Sequence, residues 1–239
     1  MYSVMLNKVK RTAKKINWKS PFVYVVLCSL CFSAAFFAVF FVRGHVTYIT
    51  KQKEITCINE NLGGKYKMHI TNARLDDPFV PIGTKEKPFT GEFDGDGVTF
   101  TYINYAPLDT GDESIMSLFG YSTGTIKNIN IWYRESNGVT FTVENAVNVA
   151  FGLICAYNYG TIENCYVLFN SSIEVKISGS ATISAVCAVN EGTIKNVKSE
   201  GQTKIENSSN AAITTDGLAA KNNGDVSSGN TNWAIFELV

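Results

Sequence analysis

Two short acidic stretches contain the side chains best suited to bind a metal ion. "DGDG", Asp94 to Gly97, supplies two carboxylates two residues apart and glycines for a tight turn, as a calcium loop does. A second group, Asp109, Asp112 and Glu113, follows in "LDTGDES". A calcium loop of the EF-hand type also needs further oxygen ligands and a distal acid, and neither follows here. We therefore predict a turn at the first stretch and a solvated loop at the second, with no metal site and no cofactor.

Carboxylates also act as acids and bases in enzymes that cleave polysaccharides. A glycosidase needs two of them roughly 5–10 Å apart, and a lyase needs bound calcium and a basic residue that removes a proton. The equivalent positions Lys127, Glu163 and Lys195 alternate in sign, which indicates charge pairing between neighbouring repeats and no acidic pair. We predict a non-enzymatic protein. A carbohydrate-active enzyme, either a polysaccharide lyase or a glycosidase, is the alternative.

Aromatic side chains are the best candidates for a binding surface. Tyr121, Tyr157 and Tyr159 flank glycine turns, and further aromatic residues follow on the next strand. Stacked repeats would bring some of these rings into one column, which suits sugar rings or a protein partner. The alternative is that half of them point inward and pack. The aromatic residues on the next strand are Trp132, Tyr133 and Tyr166.

The elements that would position these residues come from an internal repeat. "GTIKNINI" begins at Gly124, "GTIENCYV" at Gly160 and "GTIKNVKS" at Gly192, at separations of 36 and 32 residues. A weaker fourth copy, "LAAKNNGDVSSG", begins at Leu218. A fixed period of this size is typical of stacked structural units.

Each copy has a corner at an asparagine. The apolar residues Ile126 and Ile129 are three positions apart, whereas side chains on one face of a strand are two apart. One residue in the gap must therefore leave the strand. Asparagine tolerates left-handed backbone angles and can form local hydrogen bonds. We predict corners at Asn128, Asn164 and Asn196.

A unit of several short strands cannot bury its apolar face alone, but stacking the units about 4.8 Å apart would bury it. The sequence therefore predicts an all-β fold, a short right-handed parallel β-helix with asparagines aligned in a ladder. Helical repeats would show apolar residues at three-to-four spacing and few glycines, whereas this chain has 19 glycines and many β-branched residues. An antiparallel sandwich is the remaining alternative.

The N-terminus carries a basic segment and then an apolar one. Six Lys and Arg residues and no acidic residue precede position 22, and 22–42 form an uncharged run long enough for a helix to cross a bilayer. We predict a cytoplasmic tail at 1–21, a transmembrane helix at 22–42, a linker at 43–55 and an extracytoplasmic domain at 56–239. A cleaved signal peptide is the alternative, although its apolar region is usually shorter.

The charge balance limits the partners. The formal net charge of the chain is +0, which argues against general nucleic-acid binding. The expected partners are the membrane, through a single-pass anchor, and a surface glycan or an envelope or host protein.

The cysteines suggest packing rather than a disulfide scaffold. Cys155 and Cys187 occupy the same repeat position and should lie above one another, in one column with Phe119 and Ala219. We predict buried free thiols, and a disulfide between the two is the alternative.

The segment "PFVPIGTKEKPFTGEFDGDGVTFTYINY", Pro78 to Tyr105, resembles the opening of bacterial surface regions that carry the GLUG motif. "FGLICAYNYGTIENCYV" resembles the GLUG motif itself, which occurs in cell-surface proteins and beside IgA-cleaving metallopeptidases. The resemblance covers roughly residues 55–228 and implies a surface β-helix that binds or adheres.

The peptidase activity of such proteins does not carry over to this chain. A zinc peptidase needs a motif such as H-E-x-x-H, and the only histidines, His45 and His69, lie outside any such motif.

Overall fold

The computed structural model describes residues 45–133, 140–144 and 147–239, with the backbone alone at 140–144. The predicted tail at 1–21 and transmembrane helix at 22–42 lie outside these ranges. Within them, no helix is both long and apolar enough to cross a membrane. The folded unit runs from Val46 to Val239. The linker predicted at 43–55 is therefore too long, because strand β1 already begins at Val46.

The described chain consists of short strands and one 3-10 helix, which spans Gln52–Glu60. The strands, in chain order, are β1 Val46–Ile49, β2 Lys65–Met68, β3 Asn72–Phe79, β4 Glu92–Tyr105, β5 Leu108–Asp109, β6 Glu113–Met116, β7 Phe119–Ser122, β8 Thr125–Tyr133, β9 Thr140–Glu144, β10 Asn148–Gly152, β11 Cys155–Asn158, β12 Thr161–Glu163, β13 Tyr166–Phe169, β14 Ser171–Lys176, β15 Ser180–Ser184, β16 Cys187–Asn190, β17 Thr193–Lys195, β18 Lys198–Asn207, β19 Ala212–Asp216, β20 Ala219–Asn222, β21 Asp225–Val226 and β22 Thr231–Leu238.

These strands form a β-solenoid of about 5 turns, which confirms the predicted repeat fold. They are arranged in a long sheet of 13 strands, a second sheet ordered β19-β15-β10-β6-β5 and a third sheet ordered β20-β16-β11-β7. Apart from β5 with β6, every strand pair within the described ranges is parallel, which argues against an antiparallel sandwich. The right-handed sense of the coil stays a prediction.

The repeat glycines are required because successive coils approach one another closely. A Cβ at Gly160 would lie 2.0 Å from the carbonyl oxygen of Gly124, and one at Gly192 would lie 2.2 Å from that of Gly160. The column continues with Gly91 in the coil below and with Gly224 in the coil above. A Cβ at Gly91 would lie 2.0 Å from the carbonyl oxygen of Gly64, and one at Gly224 would lie 2.2 Å from that of Gly192. Any side chain here would collide with backbone, so the column can hold only glycine.

The asparagine corners have the backbone angles that the repeat spacing predicts. Asn128, Asn164 and Asn196 have φ of +57°, +55° and +51°, in the left-handed region. The Asn196 Nδ2 donates to the Asn164 Oδ1 at 2.6 Å, so these two form a rung between coils. Asn128 instead donates to Asp94 in the coil below, at 2.8 Å.

A second asparagine ladder, which was not predicted from the sequence, lies inside the domain. The Asn158 amide donates to the Asn190 Oδ1 at 2.7 Å, and the Asn190 amide donates to the Asn222 Oδ1 at 2.8 Å. Asn158 and Asn190 are fully buried, so each amide finds its partner one coil away. The signal was present in the repeat, since the three residues occupy one aligned position.

The main core fills the space between the three sheets. Cys155 pairs in register with Phe119 below and with Cys187 above, and Cys187 pairs with Ala219, which confirms the predicted column. Both thiols are free and fully buried, and each donates to a backbone carbonyl two residues on, in Tyr157 and Val189.

The first coil closes the N-terminal end of this core. The 3-10 helix contributes Ile55 and Ile58, which are both fully buried in the main core. The Gly83 amide donates to Asn59 Oδ1 at 3.2 Å and ties the helix to the loop after β3. Leu62 and Ile70 of the same coil pack against the core and remain partly exposed.

Substitutions at Asn164 separate its backbone role from its side-chain role. We expect Asn164→Ala to lower the free energy of unfolding by about 2 kcal/mol, since alanine is strained at this φ and the rung to Asn196 is lost. Asn164→Gly keeps the backbone angle available and should cost less than about 1 kcal/mol. Urea unfolding measures both. An alanine variant as stable as the glycine variant would contradict the corner.

The buried thiols should resist modification. Burial raises the pKa of Cys165 to about 12 and the pKa of Cys155 well above its usual value, so little of the reactive thiolate exists at neutral pH. Among the four described cysteines, we expect iodoacetamide to label exposed Cys57 in the native protein and the other three only after unfolding. Peptide mass spectrometry without reduction measures this. A linked Cys155–Cys187 peptide would refute the free-thiol prediction.

Candidate binding cleft

A small apolar cluster lies on the outer faces of the second and third sheets. Phe151 of β10 belongs to the main core, whereas its neighbour Ala150 belongs to this separate cluster, because successive side chains on a strand face opposite sides. The other buried members come from both sheets, so the cluster fills the space where the two outer faces meet. They are Ile115, Tyr121, Ala156 and Ala188.

Two of the predicted binding residues stack on each other at this place. Tyr121 of β7 pairs in register with Tyr157 of β11, and their rings are parallel, with centroids 4.5 Å apart and planes 4° apart. Tyr121 is buried and Tyr157 is half-buried. The third, Tyr159, lies two residues further on and is 50% exposed. The repeat thus brings all three predicted tyrosines to one region.

The tyrosines line a cleft together with acidic residues from the preceding segments. The Tyr157 hydroxyl lies 2.8 and 2.7 Å from the two carboxylate oxygens of Glu113, to which it donates. The cleft has a volume of about 390 Å³. Its other lining residues are Lys85, Glu86, Thr110 and Asp112.

The cleft keeps its tyrosines neutral. Burial, and then the charge of Glu113, raises the pKa of Tyr121 to about 12. Burial, and then the hydrogen bond to Glu113, raises the pKa of Tyr157 further above its ordinary value. Both hydroxyls therefore remain protonated over the physiological range and can act as donors. The lining contains three carboxylates and one lysine, so negative charge prevails in the cleft.

The acidic side of this cleft was not predicted from the sequence. "LDTGDES" was predicted to be a solvated loop, but Glu113 is half-buried and begins strand β6. Its position pairs in register with Asn148, the first residue of β10. The glycine alignment gave no signal for this pairing, because it sets Glu113 opposite Val149 rather than Asn148. Lys85, Glu86 and Thr110 carried no repeat signal.

The remaining aromatic residues divide between the core and an outer face. Tyr133 is fully buried and donates to the carbonyl of Ile103. This agrees with the alternative that half of the aromatic residues point inward and pack. Trp132, beside it on β8, faces outward and contacts Tyr166 edge-on, with centroids 6.4 Å apart. Lys198 lies over the Tyr166 ring on the same face, 5.3 Å from its centroid. These outward aromatics are thus occupied by neighbours within the sheet.

The "DGDG" stretch lies inside strand β4, where it forms a bulge with positive φ at Asp96 and Gly97, so the turn predicted before a strand is wrong. The Asp94 Oδ1 accepts hydrogen bonds from the backbone N–H of Asp96 and from Asn128, and these bonds lower the pKa of Asp94 against the opposing effect of burial. Asp96 pairs with Lys67 at 2.9 Å. Within the ranges that the structure describes, no group of three His, Cys, Asp or Glu residues could hold a metal ion.

The alternating charges pair between coils as the repeat predicts. Glu163 lies in register with Lys127 below and Lys195 above, and it forms an ion pair with Lys195 at 2.7 Å. Lys127 instead pairs with Glu92, at 2.6 Å. These charges are accounted for by coil-to-coil pairing and need no catalytic explanation.

Comparisons of the chain with models of protein families, with curated proteins and with solved structures find no match. The resemblance to GLUG-motif surface proteins therefore stays a prediction that rests on the quoted motifs.

Proposed function

We propose that this chain is a membrane-anchored binding module of the cell surface, without catalytic activity. The apolar run at 22–42 is the single-pass anchor, and the excess of Lys and Arg before it keeps the N-terminus cytoplasmic. The solenoid is then the extracytoplasmic part. Five turns at about 4.8 Å per coil extend only about 25 Å, so the ligand would be met near the membrane.

The tyrosine cleft is the single observation that carries this proposal. It combines partly accessible aromatic rings, neutral hydroxyl donors and carboxylate acceptors in one recess of about 390 Å³. Tyrosine offers an apolar ring and a polar tip at once, which suits a ligand that presents both kinds of surface. A sugar ring with its hydroxyls is such a ligand, and so is the surface of an envelope or host protein.

The same cleft supports a second candidate function. Glu86, Asp112 and Glu113 place three carboxylates around one recess, which keeps a carbohydrate-active enzyme, either a polysaccharide lyase or a glycosidase, as the alternative. Binding is favoured because Glu113, the acid beside the stacked rings, already accepts the Tyr157 hydroxyl on both of its oxygens.

The anchor predicts the behaviour of the full chain in cells. We expect it to stay with membranes after alkaline carbonate washing and to be degraded by protease added outside intact cells. A variant that lacks 22–42 is the control and should be released. If the full chain were found in the carbonate-soluble fraction, the anchor would be excluded.

Replacing Tyr159 should test the cleft without disturbing the fold. We expect the full chain, reconstituted in lipid nanodiscs, to bind a glycan on an array or a protein in an envelope extract. Tyr159→Ala should weaken this binding at least about tenfold, because the substitution removes an accessible ring. The control is Tyr48→Ala, since Tyr48 is 59% exposed and lies outside the cleft.

Two results would argue against the proposal. Equal loss in both variants would exclude the cleft as the binding site. Polysaccharide turnover that disappears in Glu113→Gln would establish the enzymatic alternative instead.

A further inference from the structure

Within the described residues, a helix covers only one of the two ends of the solenoid. Apolar side chains of the 3-10 helix close the N-terminal end. At the C-terminal end, Ile213, Ala234 and Phe236 pack against the core but remain partly exposed. In the part of the chain that the structure describes, β19, β20, β21 and β22 each pair on one side only. All three sheets therefore end together in unpaired edges.

The longest of these edges lacks the features that prevent association. Edges of monomeric sheets are usually short or carry lysine, proline or a bulge. Strand β22, "TNWAIFEL", has eight residues, a continuous register with β18, no proline and one charge, Glu237. Such an edge is suited to pairing with another strand.

Exposed apolar side chains concentrate at this same end. Ten large hydrophobic residues are exposed within the described ranges, and five belong to the last coil. Trp233, Ile235 and Leu238 on β22 are each at least 60% exposed. The others are Val226 and Val239. Exposed apolar patches on soluble domains commonly mark interaction sites. The grouping of these five side chains therefore indicates an interaction surface.

We propose that the open C-terminal end binds the same end of a second copy of this chain, across a two-fold axis. Only a partner that ends in three matching sheet edges can cover all three at once, and the chain's own end is such a partner. An axis that passes through the long sheet and the corner between β19 and β20 pairs β22 with its own copy. It also pairs β19 of each copy with β20 of the other.

The strand lengths and charges fit this arrangement. Strands β19 and β20 contain five and four residues, so these two edges match in length. When β22 pairs antiparallel with its copy, and Ala234 or Ile235 lies opposite its own equivalent, the inward side chains of both strands lie on the same face of the sheet. In these two registers Glu237 faces Thr231 or Trp233 of the second copy, so like charges do not meet.

The oligomeric state of the full chain in nonionic detergent tests this proposal. We expect sedimentation velocity to show a dimer at micromolar concentration. Ile235→Lys should raise the dissociation constant at least about tenfold, because it places a charge in each copy at the shared edge. Ile235 points outward and is 60% exposed, so the variant should fold. The matched control, Val80→Lys, alters a residue that is 50% exposed in the first coil and should leave the dimer unchanged.

Amide hydrogen exchange of residues 231–238 provides a second measurement. The proposal expects these amides to exchange more slowly as the wild-type concentration rises, and to exchange fast at every concentration in Ile235→Lys. A monomeric wild-type chain would overturn the proposal. A dimer that Ile235→Lys leaves intact would also overturn it, since another surface would then hold the copies together.

Discussion

The structure depends on the close approach of successive coils at the glycine column. The carbonyl oxygen of each repeat glycine occupies the space where the next glycine would carry a Cβ, at distances near 2 Å. The same carbonyls accept the next coil's hydrogen bonds, for example from the Thr161 N–H to Gly124 and from the Thr193 N–H to Gly160. The column therefore sets both the spacing and the register of the coils. A larger residue at any of these positions would separate two coils and remove those bonds.

Once the register is set, each side chain meets its equivalent one coil away. This explains why the same position gives a buried amide ladder at Asn158, Asn190 and Asn222, and stacked rings at Tyr121 and Tyr157. An amide or a flat ring gains from a like neighbour, since amides donate to one another and offset rings attract. A charged side chain is instead repelled by a like charge one coil away. The outer column accordingly alternates in sign, with Lys127, Glu163 and Lys195. The register of the coils thus accounts for the buried asparagine ladder, for the alternating charges on the surface and for the stacked tyrosines that line the cleft.

The cleft and the open end are the two places where this periodicity breaks. At the cleft, the acidic residues come from segments before the first full repeat, so Glu113 faces a tyrosine that the next coil replaces with Val189. At the C-terminal end, the strands of the last described coil pair on one side only. A solenoid can present a distinct surface only where its repetition stops, because identical coils elsewhere satisfy one another. The proposed ligand site and the proposed dimer contact lie at these two positions.

The sequence by itself determined the repeat, the strand-forming composition, the corners at Asn128, Asn164 and Asn196 and the column of Phe119, Cys155, Cys187 and Ala219. It could do so because a parallel solenoid converts a fixed sequence interval into direct spatial contact. Only the tertiary structure decided which aromatic residues face outward and where non-repeated segments fold back. Glu113 came to rest against Tyr157, because the path between repeats, rather than the repeat itself, places it. The start of the domain at Val46 has the same origin, since β1 pairs with β2 by contacts that no repeat encodes.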